Sequence, residues 1–257
     1  MRQFGLIGYP LSHSFSQGFF SEKFLRENIK DANYANFPIA SISELNALWQ
    51  QHPALEGLNI TIPYKKEVIP FIQYPSSVVQ KINACNCIRK FNKELYGYNT
   101  DVIGFEKSLL PLLKPHHNQA LILGTGGAAA AVEYVMQKLG VTYQLVSRSN
   151  HKGASIFDAP VISYDALNTD VVSAHTLLIN TSPIGMYPNT TEAPAIPYEG
   201  IGANHYLYDL VYNPAATLFL SKGKEKGAAI KNGLDMLHIQ AEESWAIWNA
   251  STPIQQS

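Results

Sequence analysis

The 257-residue sequence is poor in cysteine, carries no excess of either charge and contains no long apolar run. Its two cysteines, Cys85 and Cys87, stand one residue apart. A metal site would need further ligands at matching spacing, and the eight histidines are scattered without it, so no metal is expected. A disulfide over so short a loop would be strained. The pair is expected as reduced, half-buried thiols on one face of a strand. Nineteen basic against 20 acidic residues give no electrostatic reason for nucleic acid or an anionic membrane as partner. No segment approaches the roughly 20 apolar residues of a membrane span. Met1-Arg2-Gln3 runs straight into strand-like sequence without the apolar region of a signal peptide, so a cytoplasmic location is expected. Repeats, low-complexity tracts and Pro/Gly/Ser-rich linkers are missing too.

What is present is a dinucleotide-type loop. Leu121-Ile122-Leu123-Gly124-Thr125-Gly126-Gly127-Ala128-Ala129 is a short apolar run, then glycines, then a helix-forming alanine tract. Such a segment places a buried strand, a tight turn and the amides of a helix N-terminus where a pyrophosphate can meet them. Val132, Val135, Met136 and Leu139 share one helix face, and Gly140 is a natural C-cap. Strands are expected at 143–146, 176–179, 206–211 and 228–231. Strands separated by helix-sized segments predict a doubly wound parallel sheet. After the second strand stands Ser147-Arg148-Ser149, with Lys152 close behind and no carboxylate. An acid there would hold the ribose of NAD; a guanidinium suits a phosphorylated ribose, so NADP(H) is expected.

More than a hundred residues precede the loop, enough for a second α/β domain. Strands are expected at 4–7, 34–37, 58–62, 84–89 and 95–98, with helices at 19–28 and 42–51. Ser14 and Ser16 flank one residue after the first strand, where both can donate to one carboxylate, although Ser16 can equally cap the next helix. In Asn59-Ile60-Thr61-Ile62-Pro63-Tyr64-Lys65, alternation puts Asn59 and Thr61 on one face and Ile60 and Ile62 toward the core. Pro63 ends that strand, and Lys65 follows near a helix start. Position alone leaves Lys65 a solvated charge and Asp101, in Asn99-Thr100-Asp101, a helix N-cap. A last helix over 235–250 carries Leu237, Ala241, Trp245 and Trp248 on one face, with Glu242 and Glu243 away from it.

Taken in order, these segments resemble the shikimate dehydrogenase family along nearly the whole chain. The matching pieces are Gly8-Tyr9-Pro10, His13-Ser14-Phe15-Ser16, the segment from Asn59 to Lys65, Asn86, and Asn99-Thr100-Asp101. The glycine loop and Ser147-Arg148-Ser149 follow. Asn180-Thr181-Ser182-Pro183-Ile184-Gly185-Met186, Tyr208-Asp209-Leu210-Val211-Tyr212-Asn213-Pro214, Asn232-Gly233-Leu234-Asp235-Met236-Leu237 and Gln240 complete the series. Each piece is modest, and their joint order is specific.

The resemblance implies NADPH-dependent, reversible reduction of 3-dehydroshikimate to shikimate in aromatic amino-acid biosynthesis. It implies two domains: a mixed α/β substrate domain over 1–101 joined by the C-terminal helix 235–257, and a Rossmann-like doubly wound NADP-binding domain over 102–234. Carried over, Ser14 and Ser16 would bind the substrate carboxylate, with Thr61, Asn86, Tyr212 and Gln240 around its ring, and Lys65 and Asp101 the catalytic pair. Gly124, Gly126, Gly127 and Ala128 would line the pyrophosphate; Arg148, Ser149 and Lys152 would meet the adenosine phosphate; Met186 and Gly233 would lie near the nicotinamide. Gln17 stands where the family often has proline, Lys152 where arginine is usual, and Ser147 where asparagine is frequent. Small molecules are the expected partners, for a monomer or a homodimer. Two other readings stay open: a quinate/shikimate dehydrogenase paralogue, and a non-catalytic NADP-binding sensor. An intact Lys65 and Asp101 speak against the sensor.

Overall fold

A computed structural model of the chain describes residues 1–11, 15–148 and 155–256. It divides into two compact units, Met1–Thr100 with Gln240–Ser257, and Asp101–Ile239. Each contains one six-stranded sheet.

The first unit runs β1 (Arg2–Gly8), α1 (Phe15–Arg26), β2 (Ala32–Pro38), α2 (Leu45–Gln51), β3 (Leu55–Ile60), β4 (Tyr74–Pro75), α3 (Ser77–Ile82), β5 (Cys87–Phe91) and β6 (Glu94–Tyr98). The sheet order is β2-β1-β3-β5-β6-β4. β1 pairs in parallel with both β2 and β3, whereas β5 is antiparallel to β3 and to β6. Asn92 and Lys93, both at positive φ, turn the β5–β6 hairpin. Ser76 caps α3, accepting from Val79 N at 3.3 Å. The sheet is covered on both faces, so its central strands β1 and β3 are buried on both sides over most of their length. Ile7, Leu58 and Ile60 belong to one core layer with Leu45 and Val79. Phe4 and Leu6 belong to the other with Phe20 and Tyr34.

The second unit runs α4 (Thr100–Leu109), β7 (Gln119–Leu123), α5 (Gly127–Leu139), β8 (Thr142–Ser147), β9 (Val161–Ser163), α6 (Thr169–Ala174), β10 (Leu177–Asn180), β11 (Tyr206–Asp209), α7 (Leu218–Glu225), β12 (Ala229–Asn232) and α8 (Leu234–Asn249). Every pairing in its sheet is parallel, in the order β12-β11-β10-β7-β8-β9. This is the doubly wound order, with its switch point between β7 and β10, where such sheets bind ligands. From Gln240 onward, α8 groups with the first unit. There Trp248 stacks on Phe4 at 4.8 Å and donates to Ile88 O at 2.9 Å. Gly57 admits the indole: a Cβ at that position would lie 2.3 Å from Trp248 Nε1. Lys23 of α1 ties the two helices by ion pairs to Glu27 (2.8 Å) and Glu242 (2.7 Å).

Several local expectations change. β3 stops at Ile60, and Ile62 is 74% exposed rather than core-facing. Pro63 has no N–H to donate, and the pleat is lost ahead of it. Residues 62–68 make successive turns, so Lys65 sits in a turn and not at a helix start. Cys85 and Cys87 are fully buried and belong to different core layers, because Cys85 precedes the strand. They form no disulfide, and Cys85 Sγ donates to Cys87 O at 3.4 Å. The strand expected over 206–211 ends at Asp209. β4, β9, α3, α6 and α7 were not anticipated; most are too short to show a period.

Candidate active site

In the first unit, the candidate substrate groups gather at the ends of β3 and β5. The Lys65 turn is fixed to the chain just before Asn86, since Cys85 N donates to Lys65 O at 2.8 Å. Thr61 follows β3, its N–H donating to Ile7 O at 2.9 Å. Asn86 is buried, and its Oδ1 accepts from Thr100 N at 2.6 Å, capping α4 from a distance. Asp101 is therefore not the N-cap but a first-turn residue of α4. Ser16 likewise lies inside α1 rather than capping it.

These groups rest on a buried polar chain that sequence reasoning did not find. The Tyr34 hydroxyl donates to Asn59 Oδ1 at 3.0 Å and is also hydrogen-bonded to Ser16. Burial pushes the Tyr34 phenol well up, and the Ser16 contact opposes this only in part. Asn59 Nδ2 donates to Ser244 Oγ at 2.9 Å, and Ser244 Oγ donates to Gln240 O at 2.9 Å. Thr100 Oγ1 lies 3.3 Å from Ser244 Oγ and 3.4 Å from Gln240 Oε1, and it accepts from Asn86 Nδ2 at 3.0 Å. Ser16, Asn86 and Gln240 are thus brought into one network, through Tyr34, Asn59, Thr100 and Ser244. Asn59 showed in the alternation of its strand and Ser244 lies four residues past Gln240 on one helix face, but no spacing joins them to Tyr34 or Thr100. Ser14 lies outside the described residues.

In the second unit, a cavity of about 440 Å³ opens at the switch point. Gly124, Gly126, Arg148, Tyr164, Thr181 and Ser182 are among its walls, and no carboxylate lines it among the described residues. Gly124 has φ +121°, and a Cβ there would meet Thr181 Oγ1 at 2.7 Å. A Cβ on Gly126 or Gly127 would meet nothing within 4 Å, so the chain here faces open space. Gly126 is the N-cap of α5 and brings no side-chain hydrogen bond, leaving the first-turn amides of Gly127 and Ala128 for an anion. Arg148 is exposed at the end of β8. Burial raises the Tyr164 phenol, and the neighbouring Arg148 charge lowers it. Ser149 and Lys152 lie outside the described residues. The residues present fit a dinucleotide phosphorylated on its adenosine ribose.

Met186, Tyr212 and Gly233 lie outside that cavity wall, on loops at the ends of β10, β11 and β12. Tyr187 N donates to Asn213 O at 3.0 Å, and Gly233 N to Val211 O at 3.2 Å, so the three loops are neighbours. Gly233 also has a packing reason: a Cβ would lie 2.1 Å from Leu210 O. Among the described residues, no group of three or more His, Cys, Asp or Glu could hold a metal ion. No helix among them is long and apolar enough to cross a membrane.

Residues 6–88 match the family model for the shikimate dehydrogenase substrate binding domain. A shikimate dehydrogenase (NADP(+)) of Aquifex aeolicus is 34% identical over 251 residues, covering 96% of this chain and 90% of that protein. The crystal structure of shikimate dehydrogenase from Aquifex aeolicus superposes with a TM-score of 0.85 at 33% identity, over 98% of this chain and 94% of the other. The Thermus thermophilus shikimate 5-dehydrogenase in complex with NADP(H) and shikimate gives a TM-score of 0.85 at 25% identity, over 99% and 95%.

Proposed function

Because this chain belongs to the shikimate dehydrogenase family, we propose that it reduces 3-dehydroshikimate to shikimate with NADPH, reversibly. One observation carries the cofactor half of this reading. The cavity at the switch point has glycine backbone on one wall, Arg148 at its rim and no carboxylate among its described walls. Gly124, Gly126, Gly127 and Ala128 hold the pyrophosphate through backbone amides, and Arg148, with Ser149 and Lys152, meets the adenosine phosphate. Met186 and Gly233 lie toward the nicotinamide end. NADPH, when bound, supplies the hydride.

The N-terminal residues 1–101 and the C-terminal segment 235–257 form the substrate half, and 102–234 the cofactor half. Ser14 and Ser16 bind the substrate carboxylate, while Thr61, Asn86, Tyr212 and Gln240 surround its ring and hydroxyls. As the ketone is reduced, its oxygen gains negative charge and needs a positive neighbour and a proton. The Lys65 ammonium stabilises that charge and gives the oxygen a proton; in the reverse direction the Lys65 amine takes it back. Asp101 orients the ammonium and accepts from a substrate hydroxyl. The enzyme acts in the cytoplasm on small molecules, as a monomer or homodimer.

The test is spectrophotometric. Purified protein given 3-dehydroshikimate and NADPH should consume absorbance at 340 nm, a property of the reduced nicotinamide ring. Binding of NADPH without turnover of either 3-dehydroshikimate or shikimate would favour the sensor reading instead.

A further inference from the structure

Asp209 ends β11 with its side chain wholly buried, and no role assigned above uses it. Oδ1 accepts from Val211 N at 3.0 Å and from Asn180 Nδ2 at 2.9 Å, and Oδ2 accepts from Thr217 Oγ1 at 2.6 Å. Burial pushes the carboxyl up to about 6, against the pull of those three hydrogen bonds. An ionised carboxylate only accepts, so Asn180 must turn its NH2 toward it. The Asn180 oxygen then faces the other way, accepting from Ser182 N at 3.1 Å and Ser182 Oγ at 2.6 Å. The same NH2 also reaches Ile184 O at 3.4 Å. Asn180 therefore clamps the turn after β10, and Thr181, Ser182, Pro183 and Ile184 of that turn wall the dinucleotide cavity. On the other side Thr181 is bonded to Leu123 O, through N (3.0 Å) and Oγ1 (3.1 Å), beside Gly124.

We propose that Asp209 is a positioning residue for cofactor binding: it fixes the orientation of the Asn180 amide, and Asn180 in turn holds the 181–184 wall in the shape the dinucleotide meets. The proposal rests on the NADP(H) reading of the cavity. Asp209→Asn keeps size and one acceptor oxygen but adds a donor. Asn180 is then no longer forced to present its NH2, and with the amide reversed that NH2 would face the Ser182 amide. The variant is neutral and close in shape, so it should fold.

The experiment is titration of NADPH fluorescence with wild-type, Asp209→Asn, Asn180→Ala and their double variant, alongside steady-state kinetics. Asp209→Asn should raise the NADPH Kd about tenfold, the factor for losing one well-placed hydrogen bond. The KM for 3-dehydroshikimate should stay within about twofold, because the effect belongs to the cofactor wall. The double variant should bind no more weakly than Asn180→Ala, since the two residues act in series. Thr217→Val removes the partner of the other carboxylate oxygen and the cap of α7; it should lower the melting temperature and leave the NADPH Kd unchanged. An unchanged Kd in Asp209→Asn, or an equal loss in Thr217→Val, overturns the proposal. If wild-type protein binds NADPH but does not reduce 3-dehydroshikimate, the functional reading falls and the titration still decides this one. A wild-type protein that does not bind NADPH overturns both.

Discussion

The two units build their sites from different parts of the chain. In the first, Ser16, Asn86 and Gln240 are side chains joined through other side chains: Tyr34 to Asn59, Asn59 to Ser244, Asn86 to Thr100. In the second, one wall of the cavity is glycine backbone: a glycine at φ +121°, two glycines facing open space and a helix end without a side-chain cap. A glycine wall is local in sequence, whereas the 181–184 wall of the same cavity is held by the Asn180 side chain. A side-chain site is only as good as the buried network beneath it.

That contrast predicts where a single truncation should hurt most. Lys65→Ala removes one charge and one proton from the first unit, and nothing in the backbone can replace them. Its kcat should fall about 10²- to 10⁴-fold with a much smaller change in KM, the range for a positioned acid or base. Steady-state kinetics on protein shown by far-UV circular dichroism to be folded would check this. A raised KM at unchanged kcat would make Lys65 a binding group and move the proton elsewhere.

Arg148 is the one charged side chain among the cavity's described walls. Arg148→Ala should raise the NADPH KM about 10- to 100-fold, from charge-assisted contacts of roughly 1.5–3 kcal/mol. The NADH value should move far less. Equal changes for the two cofactors would mean that the arginine does not read the phosphate, and that the backbone alone accounts for binding.

The same contrast explains what could be read from the sequence. The glycine loop, its strand and the missing carboxylate after β8 lie within about 30 residues of one another, and local spacing carries their meaning. The doubly wound parallel character of the second sheet, though not its edge strand β9, followed from strands separated by helix-sized segments. The Tyr34–Asn59–Ser244–Thr100 chain joins residues from β2, β3, α8 and the start of α4, and no periodicity marks a hydrogen bond between them. Thr61 and Lys65 were visible only through resemblance, and alternation misplaced Ile62 because the strand ended two residues earlier. Cys85 and Cys87 misled for the same reason: they share a face only if both lie in the strand.

The buried network itself can be broken by one atom. Tyr34→Phe keeps the ring that stacks on Phe20 at 4.5 Å but leaves Asn59 Oδ1 without the phenol donor and Ser16 without its partner. A buried group left unsatisfied costs about 1–3 kcal/mol, so the denaturation midpoint should fall accordingly. The KM for 3-dehydroshikimate should rise with it, while the NADPH KM should not. A loss of stability with both constants unchanged would show that the network supports the fold and not the site.

The smallest effect expected is one of pH, and it too differs between the units. In the second unit His117 is buried; its Nδ1 accepts from Lys114 N at 2.9 Å, so Nε2 carries the proton donated to Asn204 O at 3.2 Å. Burial, followed by the adjacent His116, lowers its pKa below the ordinary histidine value. A depressed pKa means that the fold prefers the neutral ring. The stability it contributes is present above about pH 6.5, the unfolded value, and is lost as pH falls through the folded pKa. His117→Phe, lacking both hydrogen bonds, should cost on the order of 1 kcal/mol at pH 8, and this gap should narrow at pH 5.5. Asp209, raised to about 6, acts with the opposite sign, but in both proteins alike, so it cancels from the difference. In the first unit the lowered groups are the carboxylates Glu27, paired with Lys23, and Asp31, paired with Arg2, whose contributions are lost only at more acid pH. A gap between wild-type and His117→Phe that does not narrow at pH 5.5, read from thermal unfolding by far-UV circular dichroism, would mean that His117 does not contribute to the acid sensitivity of its unit.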